Sequence, residues 1–309
     1  MTFVKRLSLT SLFGLAAIVA GFMMANSSLQ EGSNRLAKLD SIMGKVVVYE
    51  DPSKMKDLNE KLVIVSGTVT PHSDLTDPEF NLAIPALKLL RESQIYQWHK
   101  WGAKPVHIEK VWRETPLPSP DREHVNQGVI SYPSRFVAAQ EIDIVQDGVK
   151  LAALEPSYNQ FIGGEVKLML SDDQYRNLPP AMRIRFDLVN GSLVEKSTAA
   201  GDARIGDNRT RFRMVPPYQA TVVGVLVDGK VISYDRSMDK VGMFMPGKLS
   251  PSEMRHEIAK RIRIESMLSL APLGILLLLA GVFMTIKDFS RARRTREREQ
   301  VREVVRFGR

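Results

Sequence analysis

The chain has 309 residues, no cysteine and a formal net charge of +8. The lack of cysteine excludes disulfide bonds, Cys-ligated zinc, iron–sulfur clusters and thiol nucleophiles. A basic chain often binds nucleic acid, but residues 27–286 contain 32 basic and 31 acidic side chains, so the excess charge lies at the two ends. That distribution is typical of membrane flanks, and we predict no nucleic-acid partner.

The first predicted element is an uncharged apolar helix at residues 7–26, which follows two basic residues. A cleavable signal peptide has a similar basic start and apolar centre. Met23 and Met24, ahead of Ala25, interrupt the small-x-small pattern that cleavage needs. We therefore favour a retained transmembrane helix, with residues 1–6 in the cytoplasm.

Small residues recur at a spacing of four in this helix, and that spacing lets two transmembrane helices approach closely. The helix is expected to pack against the second span or against another copy of the chain, and we predict a homo-oligomer. The predicted packing residues are Ala16, Ala17, Ala20 and Gly21.

Residues 27–266 are predicted to form one α+β domain in which antiparallel strands dominate. A spacing of three and four between apolar residues indicates a helix at 29–43, and runs rich in Val and Ile predict strands. These strands are expected at 45–49, 62–70, 87–98 and 106–114. Tight hairpins are favoured at Asp147-Gly148, Asn190-Gly191 and Asp228-Gly229, and a capping box starts a helix at Ser171.

A second long helix is predicted near the C-terminal end. Ser250, Pro251 and Glu253 are typical of a helix start, so residues 250–266 form a pre-membrane helix. Residues 267–286 carry no charge and are long enough to cross a hydrocarbon core of about 30 Å. We expect one continuous helix that bends at Pro272.

Residues 287–309 carry nine Lys/Arg and four Asp/Glu. The positive-inside rule places this tail in the cytoplasm, and two spans then place residues 27–266 on the opposite side. Membrane lipids are predicted partners, because anionic headgroups attract nearby basic residues by about 1 kcal/mol each. The predicted contacts are Arg291, Arg293, Arg294, Arg296 and Arg298.

The predicted fold class is therefore α+β: an integral membrane protein with one N-terminal and one C-terminal transmembrane helix flanking a β-rich extracytoplasmic domain. A cysteine-free domain of this size fits a bacterial periplasm better than a eukaryotic cell surface. We expect a bacterial inner-membrane protein, or an endomembrane protein with a luminal domain in a eukaryote.

Two blocks of sequence resemble the transmembrane protein 43 (LUMA) family. The first contains Leu75-Thr76-Asp77-Pro78 and Tyr96-Gln97-Trp98, and the second contains Gly201-Asp202-Ala203-Arg204-Ile205 and then Met254-Arg255-His256-Glu257 before the span. The resemblance covers roughly residues 5–286. It implies a large luminal or extracytoplasmic domain, self-association and a role in organising membrane protein complexes. Animal members have several C-terminal spans, so this shorter chain resembles a bacterial member.

One strand face carries a basic stripe of Arg209, Arg211 and Arg213, which fits either an anion-binding surface or a solvated edge strand, and the second is favoured. An aromatic group near Tyr96 fits either a carbohydrate or lipid platform or, as favoured, core packing with one or two interfacial anchors. Its tryptophans are Trp98, Trp101 and Trp112.

The sequence contains no metal-type His pair, no nucleophile elbow and no phosphate loop, so no catalytic, cofactor or metal residue is predicted. Our first hypothesis is a non-enzymatic membrane scaffold or assembly protein that acts by self-association and through its extracytoplasmic domain. The alternatives are an extracytoplasmic ligand-binding sensor module and, less favoured, a membrane-anchored hydrolase.

Overall fold

The computed structural model describes residues 9–199, 203–234, 243–269 and 271–307. It divides into a β-rich unit of residues 46–250 and a helical unit formed by the segments on either side of it in the sequence. The predicted mixture of helices and strands, with an apolar helix toward each end, is confirmed. Residues 27–45 and 251–266, which the predicted domain included, belong to the helical unit.

The helices predicted at 7–26 and 29–43 form one continuous helix, and the predicted C-terminal helix is interrupted. Leu268 ends one helix and Ala271 begins the next, so the predicted continuous C-terminal helix is wrong. Pro272 lies in the first turn of the new helix, where its missing N–H costs no intrahelical hydrogen bond. In chain order the helices are α1 (Leu9–Met43), α2 (Asp172–Arg176), α3 (Pro180–Arg185), α4 (Lys196–Ala199), α5 (Pro251–Leu268) and α6 (Ala271–Phe307).

The strands lie in the β-rich unit. Those predicted at 62–70, 87–98 and 106–114 are present with shifted ends. In chain order the strands are β1 (Val47–Val48), β2 (Leu62–Pro71), β3 (Leu75–Asp77), β4 (Leu82–Ile84), β5 (Lys88–Trp101), β6 (His107–Arg113), β7 (Arg135–Ala138), β8 (Ile142–Gln146), β9 (Val149–Leu154), β10 (Val166–Leu168), β11 (Phe186–Val189), β12 (Ser192–Glu195), β13 (Asn208–Val215), β14 (Tyr218–Val227), β15 (Lys230–Ile232) and β16 (Phe244–Pro246).

Five strands close into a small barrel. β2 pairs with β8, β8 with β9, β9 with β15, β15 with β14, and β14 pairs back with β2. Closure leaves no free edge around this ring. The interior is tight at Gly224, where an added Cβ would lie 2.5 Å from the hydroxyl oxygen of Tyr158. That hydroxyl donates to the carbonyl oxygen of Val223 at 2.9 Å.

A second sheet has the order β11-β12-β13-β5-β6, with β10 added to β13 and β7 added to β5. Its inner face shares one hydrophobic core with the barrel, to which Leu89 and Phe212 contribute. β13 lies between β12 and β5, so the interpretation of its arginines as belonging to an edge strand is wrong. Those arginines instead project from the middle of the sheet.

The three hairpin turns and the helix start that the sequence predicted are confirmed. Asp147-Gly148 joins β8 to β9, Asn190-Gly191 joins β11 to β12, and Asp228-Gly229 joins β14 to β15. All six residues have positive φ, which a two-residue hairpin of this kind requires. Ser171 caps α2, with Gln174 completing the predicted capping box. Short-range preferences of these residues therefore account for the turns.

Candidate functional site

Helices α1 and α6 pack through glycine. Gly14 and Gly21 on α1 face Gly281 and Gly274 on α6, and all four are buried. A Cβ added to Gly274 would lie 2.7 Å from the carbonyl oxygen of Gly21, and one added to Gly281 would lie 2.5 Å from that of Gly14. No side chain fits at these points, so the two backbones meet directly. We call this contact the glycine seam.

The helical pair has the polarity expected in lipid. Its seam consists of small residues, whereas Phe13, Phe22 and Phe283 point outward and are 64%, 64% and 65% exposed. Helices in water bury such side chains against their neighbours. In the most apolar 18-residue stretch of each helical segment, only 17% and 12% of the residues, respectively, are buried. The pair therefore presents an apolar outer surface of the kind that lipid covers.

The seam becomes polar beyond the apolar segments. Ser28 donates its hydroxyl to the carbonyl oxygen of Ser266 at 2.6 Å, and its Oγ also lies 2.6 Å from the Oγ of Ser269. Farther along α1, Arg35 pairs with Glu265 at 3.1 Å. The apolar segments of both helices consequently end at one level, as they must if both cross the same bilayer.

The four residues predicted to pack lie on different sides of α1. Gly21 is in the glycine seam, Ala17 is partly buried, and Ala16 and Ala20 are exposed. The prediction looked for small residues four apart and so missed most of the seam. Glycines seven apart in each apolar segment are the sequence signal that would have found it, because that spacing keeps residues on one face.

Helix α6 continues into the basic segment. Of the predicted lipid contacts, three are exposed: Arg291, Arg293 and Arg294. The side chains of Arg296 and Arg298 lie outside the described residues. Lys287 begins the basic segment, and its Nζ lies 5.8 Å from the ring centroid of Phe283. This placement, an ammonium beside the last apolar turn, is typical of a membrane interface.

The β-rich unit carries a second candidate surface, the outer face of the sheet around β13. Arg209, Arg211 and Arg213 share this face. Arg213 pairs with Glu92 and with Glu165, each at 3.3 Å. Arg211 makes no hydrogen bond or ion pair with any residue that the structure describes. The predicted stripe thus has a neutralised end at Arg213 and an open end, where Arg209 and Arg211 pair with no carboxylate of the described residues.

Arg209 occupies the open end and is held in place. Its Nε donates to Oε1 of Gln94 at 2.7 Å, and its guanidinium carbon lies 4.5 Å from the ring centroid of Trp112. Burial, together with the positive charge of Arg211, lowers the pKa of Arg209 to about 10. The guanidinium therefore stays charged at neutral pH. It pairs with no carboxylate of the described ranges.

The core-packing part of the favoured interpretation of the tryptophans is wrong, because none of the three is buried. Trp98 and Trp112 are partly exposed, and Trp101 is 48% exposed. Trp112 packs near Tyr96 with ring centroids 5.0 Å apart. Lys110 lies over Trp98 at 4.9 Å from the ring centroid. Tyr96, Trp98 and Trp112 therefore lie beside the arginines on the outer face of the sheet, whereas Trp101 stacks on His107 at the end of β5.

One ion pair is fully buried in the β-rich unit. Nη1 of Arg91 donates to both carboxylate oxygens of Asp77, each at 2.9 Å, and the two residues are 3% and 2% exposed. Nε and Nη2 of Arg91 donate to the carbonyl oxygen of Pro133 at 3.0 and 2.8 Å. Glu79 also pairs with Arg91, whose guanidinium carbon lies 5.0 Å from the ring centroid of Phe80. Arg91 therefore links β3, β5 and the loop that contains Pro133.

A cleft of about 510 Å³ includes Asp207 and Ser197 in its lining. Asp207 accepts hydrogen bonds from the hydroxyls of Ser197 and Thr198, at 2.8 and 2.5 Å, and from the backbone N–H of Arg204 at 2.8 Å. Its carboxylate is therefore occupied by hydrogen bonds from the chain itself.

Within the described residues, no group of three or more His, Asp or Glu side chains is placed to hold a metal ion.

Comparisons with known proteins give one consistent match. A family model described as "Transmembrane protein 43" matches residues 103–295. A protein described as "Transmembrane protein 43 homolog" from Drosophila melanogaster is 24% identical over 266 residues, which cover 79% of this chain and 68% of that protein. No solved structure gives a significant match. The matched residues include β6 to β16, α5 and the apolar part of α6.

Proposed function

Because the chain belongs to the transmembrane protein 43 family, we propose that it is a non-enzymatic membrane scaffold. In this proposal, α1 and α6 cross the bilayer and the β-rich unit offers its surface to other membrane proteins. The family is one of membrane proteins, and two apolar helices are present. The observation that carries the proposal is the inverted polarity of the helical pair, with glycine inside and phenylalanine outside.

Both chain ends face the cytoplasm in this proposal, and residues 46–250 face the opposite side. The basic residues after α6's apolar part support that orientation. A bacterial inner membrane with a periplasmic domain suits the absence of cysteine, and an endomembrane with a luminal domain is the eukaryotic counterpart.

Reporter fusions test the orientation. A green fluorescent protein fused after residue 309 is expected to fluoresce, and an alkaline phosphatase fused there is expected to be inactive, because each reporter works on only one side of a bacterial inner membrane. The matched control places the same reporters in the Asp147-Gly148 turn, where the expected result is reversed. An active phosphatase at the C-terminal fusion would contradict the proposal.

Self-association is the second part of the proposal. The glycine seam is occupied within the chain, so the spans of two copies would meet through the outer face of α1. Ala16 and Ala20 are exposed there and are four residues apart. Crosslinking of the full chain in native membranes is expected to trap homo-oligomers. Strict monomers at normal expression level would count against a scaffold.

A matched pair of variants locates that contact. Ala16→Leu with Ala20→Leu is expected to lower the crosslinked fraction about fivefold, which corresponds to about 1 kcal/mol of lost helix association. Ala280→Leu makes one such substitution at an exposed position of α6 and is expected to have little effect. Equal losses in both variants would indicate a general packing defect instead of a specific face.

A ligand-binding module is a second candidate function, and one observation favours it. Arg209 and Arg211 carry positive charge that no carboxylate of the described residues neutralises. A ligand that raises the melting temperature of the full chain without changing its oligomeric state would favour this function over the scaffold.

A further inference from the structure

We propose that Arg209 and Arg211 form a binding site for an oxyanion, the phosphate or carboxylate group of a ligand, with Trp112 as one wall. This inference goes beyond the proposed scaffold, and it does not depend on membrane insertion. It rests on the position of β13, on the fixed geometry of Arg209 and on the ion pair that Glu92 makes with Arg213.

The position of β13 removes the ordinary reason for exposed arginines on a strand. Charged side chains on an edge strand prevent sheets from joining edge to edge. β13 pairs with β12 on one side and with β5 on the other, so it has no such edge to protect. Its paired backbone holds the Cα atoms of Arg209 and Arg211 roughly 7 Å apart on one face. A separation of about 7 Å is within the reach of long side chains, and in the proposed site both guanidinium groups contact one oxyanion.

Arg209 is preorganised to bind. The hydrogen bond from its Nε to Gln94 and its stacking on Trp112 fix the plane of the guanidinium. Its Nη groups donate to no acceptor of the described residues. A guanidinium that is already ordered loses less side-chain entropy when it binds an oxyanion through two parallel hydrogen bonds.

The carboxylates near the three arginines pair with Arg213 and leave Arg209 and Arg211 without an ion-pair partner among the described residues. Glu92 lies directly opposite Arg211 in the register of β13 and β5, yet its Oε1 contacts Arg213 at 3.3 Å. Glu165 adds a second carboxylate to Arg213. Arg213 is therefore neutralised and lies outside the proposed site. Burial and, second, the positive charge of Arg211 lower the pKa of Arg209, and an oxyanion between the two arginines would offset their repulsion.

Binding of inorganic phosphate to the purified full chain tests the proposal. The chain is held in nanodiscs of neutral phosphatidylcholine, and binding is followed by calorimetry at low salt. Arg211→Gln is expected to weaken phosphate binding about 10- to 100-fold, because it removes charge-assisted hydrogen bonds. Arg211→Lys keeps the charge and is expected to retain most of the affinity. Melting curves show whether each variant is folded.

Two further variants test whether phosphate binding is specific to the proposed site. Arg176→Gln removes the same charge from exposed α2 and is expected to leave phosphate binding unchanged. Glu92→Gln removes the carboxylate opposite Arg211 and is expected to tighten binding. Equal weakening by Arg211→Gln and Arg176→Gln, or no measurable phosphate binding by the wild-type chain, would overturn the proposal. Neither result bears on membrane anchoring.

The source of the oxyanion is tested separately. Nanodiscs that contain anionic phosphatidylglycerol are expected to reduce phosphate binding if a lipid headgroup is the natural ligand. Unchanged phosphate binding in these nanodiscs would assign the site to a soluble phosphate or carboxylate.

Discussion

Gly21→Leu is expected to separate α1 from α6. A Cβ at this position would lie 2.8 Å from the backbone nitrogen of Leu278 and closer still to the carbonyl oxygen of Gly274. Both atoms belong to the backbone, so no side chain can move aside. Overpacking of this kind costs about 1–3 kcal/mol even where side chains can shift, and here the helices themselves must move apart.

A disulfide reporter measures this separation, since the chain has no cysteine of its own. Ser28→Cys with Ser269→Cys places two thiols where the hydroxyl oxygens lie 2.6 Å apart. This pair is expected to oxidise readily in the otherwise native chain and several-fold less in the presence of Gly21→Leu. Ala20→Leu adds a similar bulk at the next position, which is exposed, and serves as the control. Undiminished oxidation with Gly21→Leu would show that the glycine seam does not hold the pair together.

Arg91→Leu is expected to destabilise the protein by about 3–5 kcal/mol, because it leaves the buried carboxylate of Asp77 without its cation. It also removes the two donors that hold the carbonyl oxygen of Pro133. Chemical denaturation of the full chain, followed by tryptophan fluorescence, measures the loss. A loss below about 1 kcal/mol would mean that the site relaxes or admits water.

A double variant separates the charge from the packing. Asp77→Leu with Arg91→Met removes both charges and is expected to be less destabilised than Arg91→Leu alone, because no uncompensated buried charge is left. Arg176→Gln breaks an exposed ion pair and is expected to cost less than about 0.5 kcal/mol. Together the variants show how much of the penalty comes from burying an unpaired charge.

The resemblance motifs have structural roles in the folded chain. Asp77 belongs to the buried ion pair, and Gln97 is buried and bridges Thr115 and Leu117 through its side-chain amide at 2.7 and 2.8 Å. In the second block, the backbone N–H of Arg204 donates to Asp207, whereas Gly201 and Asp202 lie outside the described residues. Asp77, Gln97 and Arg204 therefore help to stabilise the β-rich unit, whereas Met254–Glu257 lie in α5 of the helical unit.

Local signals were predictable from the sequence, and contacts between distant residues were not. The hairpin at Asp228-Gly229 depends only on which residues tolerate positive φ, so it was found. The pairing of Arg213 with Glu92 joins residues 121 positions apart, and no periodicity reveals it. The shared strand face of the three arginines was therefore predictable, whereas the neutralisation of Arg213 was not.

The sequence by itself determined that two long apolar helices precede and follow a β-rich unit along the chain, because hydropathy and turn preference depend on residues that are close in the chain. The tertiary structure decided which small residues are buried, since the rotation of α1 about its axis places Gly21 against α6 and leaves Ala20 exposed. The tertiary structure also decided which arginines can bind a ligand, because folding places carboxylates beside Arg213 and places none of the described ones in an ion pair with Arg209 or Arg211.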